Sequence, residues 1–156
     1  RLQPASIDEI VRRVVEQFAP TFERLGVRME LELAAESRVL VDDDAVEQIL
    51  VNLVSNVEKY AATGGVLRIA TSVGGSRTKI SVSDAGPGIP STMRDAVFEP
   101  FVRVSSRLED AAGTGIGLSI ARDLARVHGG DLSLLESTIG ASFCVDLSTP
   151  EVGNAT

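Results

Sequence analysis

The chain carries little that is aromatic: no Trp, one Tyr and five Phe, 4% of 156 residues. A platform on which nucleic-acid bases stack needs more, so single-strand binding is disfavoured. Cations are also scarce, with 15 Lys and Arg against 22 Asp and Glu and a formal net charge of −7. No nucleic-acid partner is expected, because such a partner wants a basic face. An anionic ligand would have to be held by local cations and backbone N–H groups rather than by a general field. A single cysteine, Cys144, excludes an internal disulfide and suits a reducing, cytoplasmic compartment. It lies in an alternating apolar stretch and reads as a buried bystander rather than a reactive thiol. No apolar run approaches the roughly 18 residues of a membrane span, so direct membrane insertion of this segment is not expected. There is no signal-peptide pattern either. The start at Arg1 rather than Met reads as a fragment or processed form of a parent, whose own membrane anchor would be invisible here.

What is present is a core's worth of apolar residues, 44% of the chain, at a length that suits one domain. Residues 1–148 read as that domain, and "TPEVGNAT", 149–156, as a disordered tail with nothing to pack. Ile10, Val11, Val14, Val15 and Phe18 recur at helical spacing behind Ser6 and Asp8, both candidate caps, and Pro20 is expected to kink this helix. Residues 27–33 alternate as a strand does, and "SRVLVD" is a second short strand. The strongest helical pattern covers residues 44–61, with Asp44 and Glu47 as a capping-box-like start. Its core face is Val46, Ile49, Leu50, Leu53, Val54 and Val57, and its exposed back is Glu47, Val51, Ser55 and Glu58. "VLRIATSV" and "TKISVSD" form a hairpin through "GGSR". "AGPGIPS" is a loop, "TMRDAVFEPFVRV" a loop or one short helix, and "SSRLEDAAGTG" a small, polar, mobile stretch. "IGLSIARDLARVHGG" is a helix with a Gly cap, followed by the strand pair "DLSLLES" and "ASFCVDLS". This order predicts an α+β two-layer sandwich, with helices on one face of a mixed sheet.

Three segments carry chemistry. On the 44–61 helix, Gln48, Asn52, Asn56 and Lys59 share one stripe that borders the apolar face. Asn is a mediocre helix residue, so two of them on one stripe need a reason, either a solvated boundary or the rim of a pocket. "SDAGPGIP" places Asp84 at a strand end, able to accept from an exocyclic amine, ahead of Gly86 and Gly88, which permit close backbone approach. An ordinary turn is the alternative. "GTGIGLSIA" sets Gly113, Gly115 and Gly117 before a helix, where bare N–H groups attract anions, or where a hinge is needed. Neither glycine segment is a dinucleotide fingerprint or a P-loop, since the third Gly, the preceding strand or the Gly-Lys-Ser/Thr is missing.

In this order and spacing, "NLVSNVEKY", "DAGPGIP", "FEPF" and "GTGIGLSIA" resemble the four boxes of the ATP-binding domain of sensor histidine kinases. That domain belongs to a superfamily with DNA gyrase, Hsp90 and MutL. The resemblance runs from about Ile7 to Leu147, and it implies the Bergerat fold: a mainly antiparallel sheet of about five or more strands on three helices. It implies ATP and Mg²⁺ as cofactors. Asn56 would offer an amide oxygen to Mg²⁺. Asn52 would support that ion or its waters, Lys59 would neutralise phosphate, and these three would be the catalytic set. Tyr60 would line the cleft, and Asp84 would accept from the adenine amino group, with Gly86, Gly88 and Ile89 forming the floor. Phe98 and Phe101 would anchor a nucleotide lid. Arg103 and Arg107 would reach phosphate oxygens, and Gly113, Thr114, Gly115, Ile116, Gly117 and Leu118 would enclose the phosphates. Family members that hydrolyse ATP carry a Glu one turn before the Mg-binding Asn. Asn52 stands there, which suits transfer to a protein group. The family's closing Gly-x-Gly-Thr-x-Phe reads "TIGASF", with Thr138 for the first Gly and Ala141 for the Thr, and Val57 fills a position that is usually Ala. The implied activity is protein histidine kinase in a two-component system, inactive for autophosphorylation without its acceptor domain. The implied partners are the dimerisation and phosphoacceptor helix hairpin of the parent and a response-regulator receiver domain. His128, at a helix C-terminus, reads as structural. A serine kinase of the anti-sigma type, and a nucleotide-binding or interaction module without phosphotransfer, remain as alternatives.

Overall fold

A computed structural model describes residues 1–100 and 117–153. The chain runs β1 (Gln3–Ser6), α1 (Ile7–Leu25), β2 (Arg28–Glu32), β3 (Arg38–Val41), α2 (Asp43–Tyr60), β4 (Val66–Gly74), β5 (Arg77–Asp84), α3 (Gly117–Val127), β6 (Asp131–Leu135) and β7 (Ser142–Ser148). Five strands form one sheet in the order β2-β4-β5-β7-β6, with β2 and β4 parallel and the other pairs antiparallel. Strand residues alternate, so Leu67, Ile69, Ile80, Val82, Phe143, Val145 and Leu147 turn inward and are buried. Arg68, Ser72, Lys79 and Ser133 turn outward and are exposed. The three helices cover the inner face, which is the expected two-layer mixed architecture.

The six residues expected on the core face of α2 are all buried. Its start differs from expectation. Asp42, not Asp44, is the N-cap, and its carboxylate accepts from the Ala45 N–H at 3.2 Å. Three consecutive Asp residues give a sequence pattern no means of choosing among them. The expected exposed back is also corrected: Glu47, Val51, Ser55 and Glu58 are half-buried. Helix α1 covers that flank, and Arg13 reaches Glu47 at 3.2 Å.

β1 was not expected. It pairs antiparallel with β3 in a separate two-stranded sheet. The expected disordered tail is corrected at its first three residues. The Thr149 N–H donates to the Ser76 carbonyl at 2.7 Å, and the Thr149 hydroxyl bonds that of Thr78 at 2.7 Å. The Leu40 N–H donates to the Pro150 carbonyl at 2.8 Å, and Glu151 bridges to Val39. Backbone groups left open at β3 and at the β4–β5 turn thus find their partners in the chain end. Residues 92–100 form no continuous helix. Two 3₁₀ turns, Ser91–Met93 and Ala96–Phe98, stand there instead. Helix α1 continues through Pro20 to Leu25, and Ser6 is its N-cap.

Asp8, the other candidate cap, is 1% exposed and does something different. Its Oδ2 accepts from the Ala35 N–H at 2.9 Å, and its Oδ1 accepts from the Thr71 hydroxyl at 2.7 Å. That hydroxyl in turn accepts from the Ala34 N–H at 2.8 Å. The cluster stitches α1, the β2–β3 loop and β4 together. Replacing Thr71 by Val keeps the volume but orphans the Ala34 N–H and one Asp8 lone pair, which costs about 1–3 kcal/mol. Urea denaturation of Thr71→Val should show a lower midpoint with an unchanged slope, and an unmoved midpoint would contradict this account.

Candidate functional site

The middle and the C-terminal end of α2 meet two other segments. At its middle, the expected stripe opens to solvent: Gln48 and Lys59 are exposed, Asn52 and Asn56 half-buried. Gln48 Nε2 donates to Asn52 Oδ1 at 3.0 Å, while Asn52 Nδ2 is buried with no hydrogen-bond partner among the described residues. Amide oxygen and nitrogen are assigned by their surroundings, so turning both amides over keeps the bond and brings the Asn52 oxygen to the orphan position. A buried amide aimed at no protein group suits a hard cation or a water held by one. Gly117 lies alongside: a Cβ there would stand 4.0 Å from Asn52 Cβ. The N-terminus of the 11-residue α3 therefore borders the amide pair. Among the described residues Asn56 makes no side-chain hydrogen bond and Lys59 no ion pair. Tyr60, the last residue of α2, is half-buried.

At the C-terminal end of α2, β5 delivers Asp84. Its Oδ1 accepts from the N–H groups of Gly86 at 2.9 Å and Ala141 at 3.2 Å. No described donor bonds Oδ2. Burial pushes the Asp84 pKa above the usual carboxylate value, against the pull of those two N–H groups. The glycines of this loop serve packing. A Cβ on Gly86 would sit 2.7 Å from Ala61 Cβ, and one on Gly88 3.1 Å from the Gly140 carbonyl oxygen. Ile89 and Leu118 are half-buried against the core. Gly140 was not singled out from sequence, although "TIGASF" contains it. It takes φ 64°, and a Cβ there would run into the carbonyl and carboxylate of Asp84. Val57 is 3% exposed and belongs to the core.

About 14 Å of helix separates Ala61, which meets the Asp84 loop, from Asn52, which meets α3. Phe98 is buried, edge-on to Phe143 at 6.0 Å between centroids. Phe101, Arg103, Arg107, Gly113, Thr114, Gly115 and Ile116, with the stretch expected to be mobile, lie outside the described residues. His128 closes α3, and its Nδ1–H donates to the Leu124 carbonyl at 2.9 Å. Cys144 is half-buried, and burial pushes its thiol pKa up. No helix among the described residues is long and apolar enough to cross a membrane.

Residues 41–151 match the family described as Histidine kinase-, DNA gyrase B-, and HSP90-like ATPase. The chain belongs to this family. The sensor histidine kinase TmoS of Ectopseudomonas mendocina is 30% identical over 152 residues, 94% of this chain and 16% of TmoS. The adaptive-response sensory kinase SasA of Synechococcus sp. (strain JA-2-3B'a(2-13)) is 32% identical over 143 residues, 90% of this chain and 37% of SasA. The chain thus spans well under half the length of these relatives. The nucleotide-free catalytic domain of histidine kinase ThkA superposes with a TM-score of 0.86 at 26% identity, over 96% of this chain and 97% of that one. Full-length ShkA in complex with AMPPNP superposes at 0.84 and 27% identity, over 98% of this chain and 32% of ShkA. Within the family, the chain is a catalytic ATP-binding domain of the histidine kinase type.

With Oδ1 occupied, an ionised Asp84 Oδ2 can accept a hydrogen bond from an amino N–H, such as that of an adenine base. Protonation of Asp84 removes that acceptor, and its raised pKa moves the loss to a higher pH than an exposed Asp would show. Adenine-nucleotide affinity should therefore fall as pH is lowered through that pKa. The sign for folding is opposite: the ionised form carries the burial penalty, which disappears on protonation. Asp84→Asn should weaken ATP binding about 10–100-fold, the worth of a charge-assisted hydrogen bond, without lowering thermal stability. Calorimetric titration across the acid range checks both, and an Asn variant that binds like the wild type would contradict the assignment.

Proposed function

We propose that this chain holds Mg·ATP and presents the γ-phosphate to a histidine on a separate helix-hairpin domain of the same parent. The observation that carries the reading is the open Asn52–Asn56–Lys59 stripe, which joins the start of α3 to the Asp84 loop. Asp84 and the 86–89 loop would hold the base. Asn56, supported by Asn52, would hold Mg²⁺, which supplies charge neutralisation. Lys59 and the first N–H groups of α3 would take the phosphates. Arg103, Arg107 and residues 113–116 would complete the phosphate end. The names of the relatives and the AMPPNP complex of ShkA support this.

Phosphoryl transfer is mostly positioning and charge neutralisation. The bond from γ-phosphorus to the bridging oxygen breaks, ADP leaves, and a P–N bond forms at the acceptor imidazole. Asn52 bears on where the phosphoryl group goes. An amide has no basic lone pair with which to activate water, so this helix turn favours a protein acceptor over hydrolysis. A receiver domain of a response regulator would then take the phosphoryl group. A reducing compartment such as the cytoplasm suits the single thiol.

His128 is not the acceptor. It lies about 16 Å along α3 from Gly117, at about 1.5 Å per residue, and in-line transfer needs roughly 3–3.5 Å. With radiolabelled ATP, the isolated chain should take up no label, and His128→Gln should behave the same. The hairpin domain of the parent, added in trans, should acquire acid-labile label. Acid-stable label would favour the serine-kinase alternative. No label on any acceptor, with ATP still bound, would favour a nucleotide-binding module.

A further inference from the structure

Phe98 and Gly117 flank the span 101–116 in sequence, and one side chain outside the site described above bears on both flanks. Arg122, on the second turn of α3, lays its guanidinium over the Phe98 ring, 4.5 Å from the centroid. Its Nε donates to Asp131 Oδ1 at 3.1 Å. That oxygen is already served by Arg126 Nε at 3.1 Å and the Leu132 N–H at 2.9 Å. Asp131 therefore has two other donors besides Arg122. Arg126 is half-exposed, whereas the Arg122 side chain is 27% exposed and faces the 96–98 turn. Only Arg122 makes the aromatic contact. The planar guanidinium can donate in its plane to Asp131 while its face rests on the ring, which a Lys ammonium cannot do. The ring also meets Phe143 in a T-shaped contact, so Phe98 is seated against both β7 and α3.

We infer that Arg122 is a positioning residue for the phosphate end of the site: it locks the 96–98 turn to α3 and so holds the first turn of α3 against Asn52. This rests on the nucleotide-binding reading. Among the described residues, Asp84, Gly140 and the end of α2 make no hydrogen bond, ion pair or ring contact with Arg122. Disturbing the clamp should therefore be felt by a ligand in proportion to its phosphates. A role confined to fold stability makes no such distinction.

The test compares MgATP and AMP, titrated calorimetrically into wild type, Arg122→Met, Phe98→Leu and the double variant, with melting temperature recorded for each. Met keeps the packing of the Arg stem, and Leu keeps most of the ring's volume. Cation–π contacts of this kind convert to about a three- to tenfold loss of MgATP affinity, with AMP changed by less than about twofold. The double variant should lose no more than either single one, because the two residues act through one contact. Arg126→Gln, which removes the redundant partner of Asp131, should leave the ATP-to-AMP ratio unmoved. Equal losses for both nucleotides, additive losses, or folded variants that bind MgATP like the wild type each overturn the inference. Wild type that binds neither nucleotide overturns the nucleotide reading itself, and this inference with it.

Discussion

Val46, Ile49, Leu50, Leu53, Val54 and Val57 are buried under α2, and their burial sets the rotation of that helix. Each buried side chain of this size contributes on the order of 1.5–3 kcal/mol, so turning α2 by one residue, about 100°, would cost more than most domains have to spare. With the rotation fixed by the sheet, α1 closes one flank and α3 borders the other. What stays open is a single stripe, on which Gln48, Asn52, Asn56 and Lys59 stand. The ligand-facing surface is thus what packing leaves uncovered. It inherits the rigidity of the most buried helix in the domain, which is what a site that works by positioning requires.

A chain of net charge −7 that binds a polyanion must arrange its cations with care. Most of the arginines in the described fold are committed to carboxylates: Arg12 to Glu36, Arg13 to Asp43 and Glu47, Arg28 and Arg68 to Glu30, Arg77 to Asp146, and Arg122 and Arg126 to Asp131. These largely exposed pairs contribute little to stability, but they cancel charge locally. Lys59, on the open stripe, makes no such pair among the described residues. In the proposed site it would act together with the α3 N-terminus and the neutral amides of Asn52 and Asn56. The field is local, as composition required, because a screening length of about 8 Å makes remote acids matter little.

The main elements were legible because burial on one sheet face imposes regular periods, 3.6 in the helices and 2 in the strands. Features that escaped depend on contacts without a local pattern. β1 is four residues long, and residues 150 and 151 pair with a strand more than a hundred residues upstream, at Leu40 and Val39, so neither shows a period. The cap at Asp42 was hidden among identical neighbours. Asp8 looked like a helix cap and is instead a buried tie, since its partners Ala35 and Thr71 are 27 and 63 residues away. In the site, the amide stripe and Asp84 were legible from residue chemistry. The seat of Phe98 was not, because nothing in "FEPF" points to an arginine on another element.

The same reasoning reinterprets the departures at Thr138 and Ala141. Thr138 is exposed, away from any described contact of Asp84. At Ala141 the groups that meet Asp84 are main-chain: its N–H donates to the carboxylate, and its carbonyl accepts from the Asp84 N–H at 2.9 Å. Any residue but proline supplies that pair. The side chain that position 141 bears can tune contact with a base, but it does not hold the acceptor in place. The position with no such freedom is 140, where φ is positive and the missing Cβ is the space Asp84 occupies. One departure thus falls on an exposed residue and the other where the backbone acts, and the residue between them that the geometry cannot spare is the glycine that is kept.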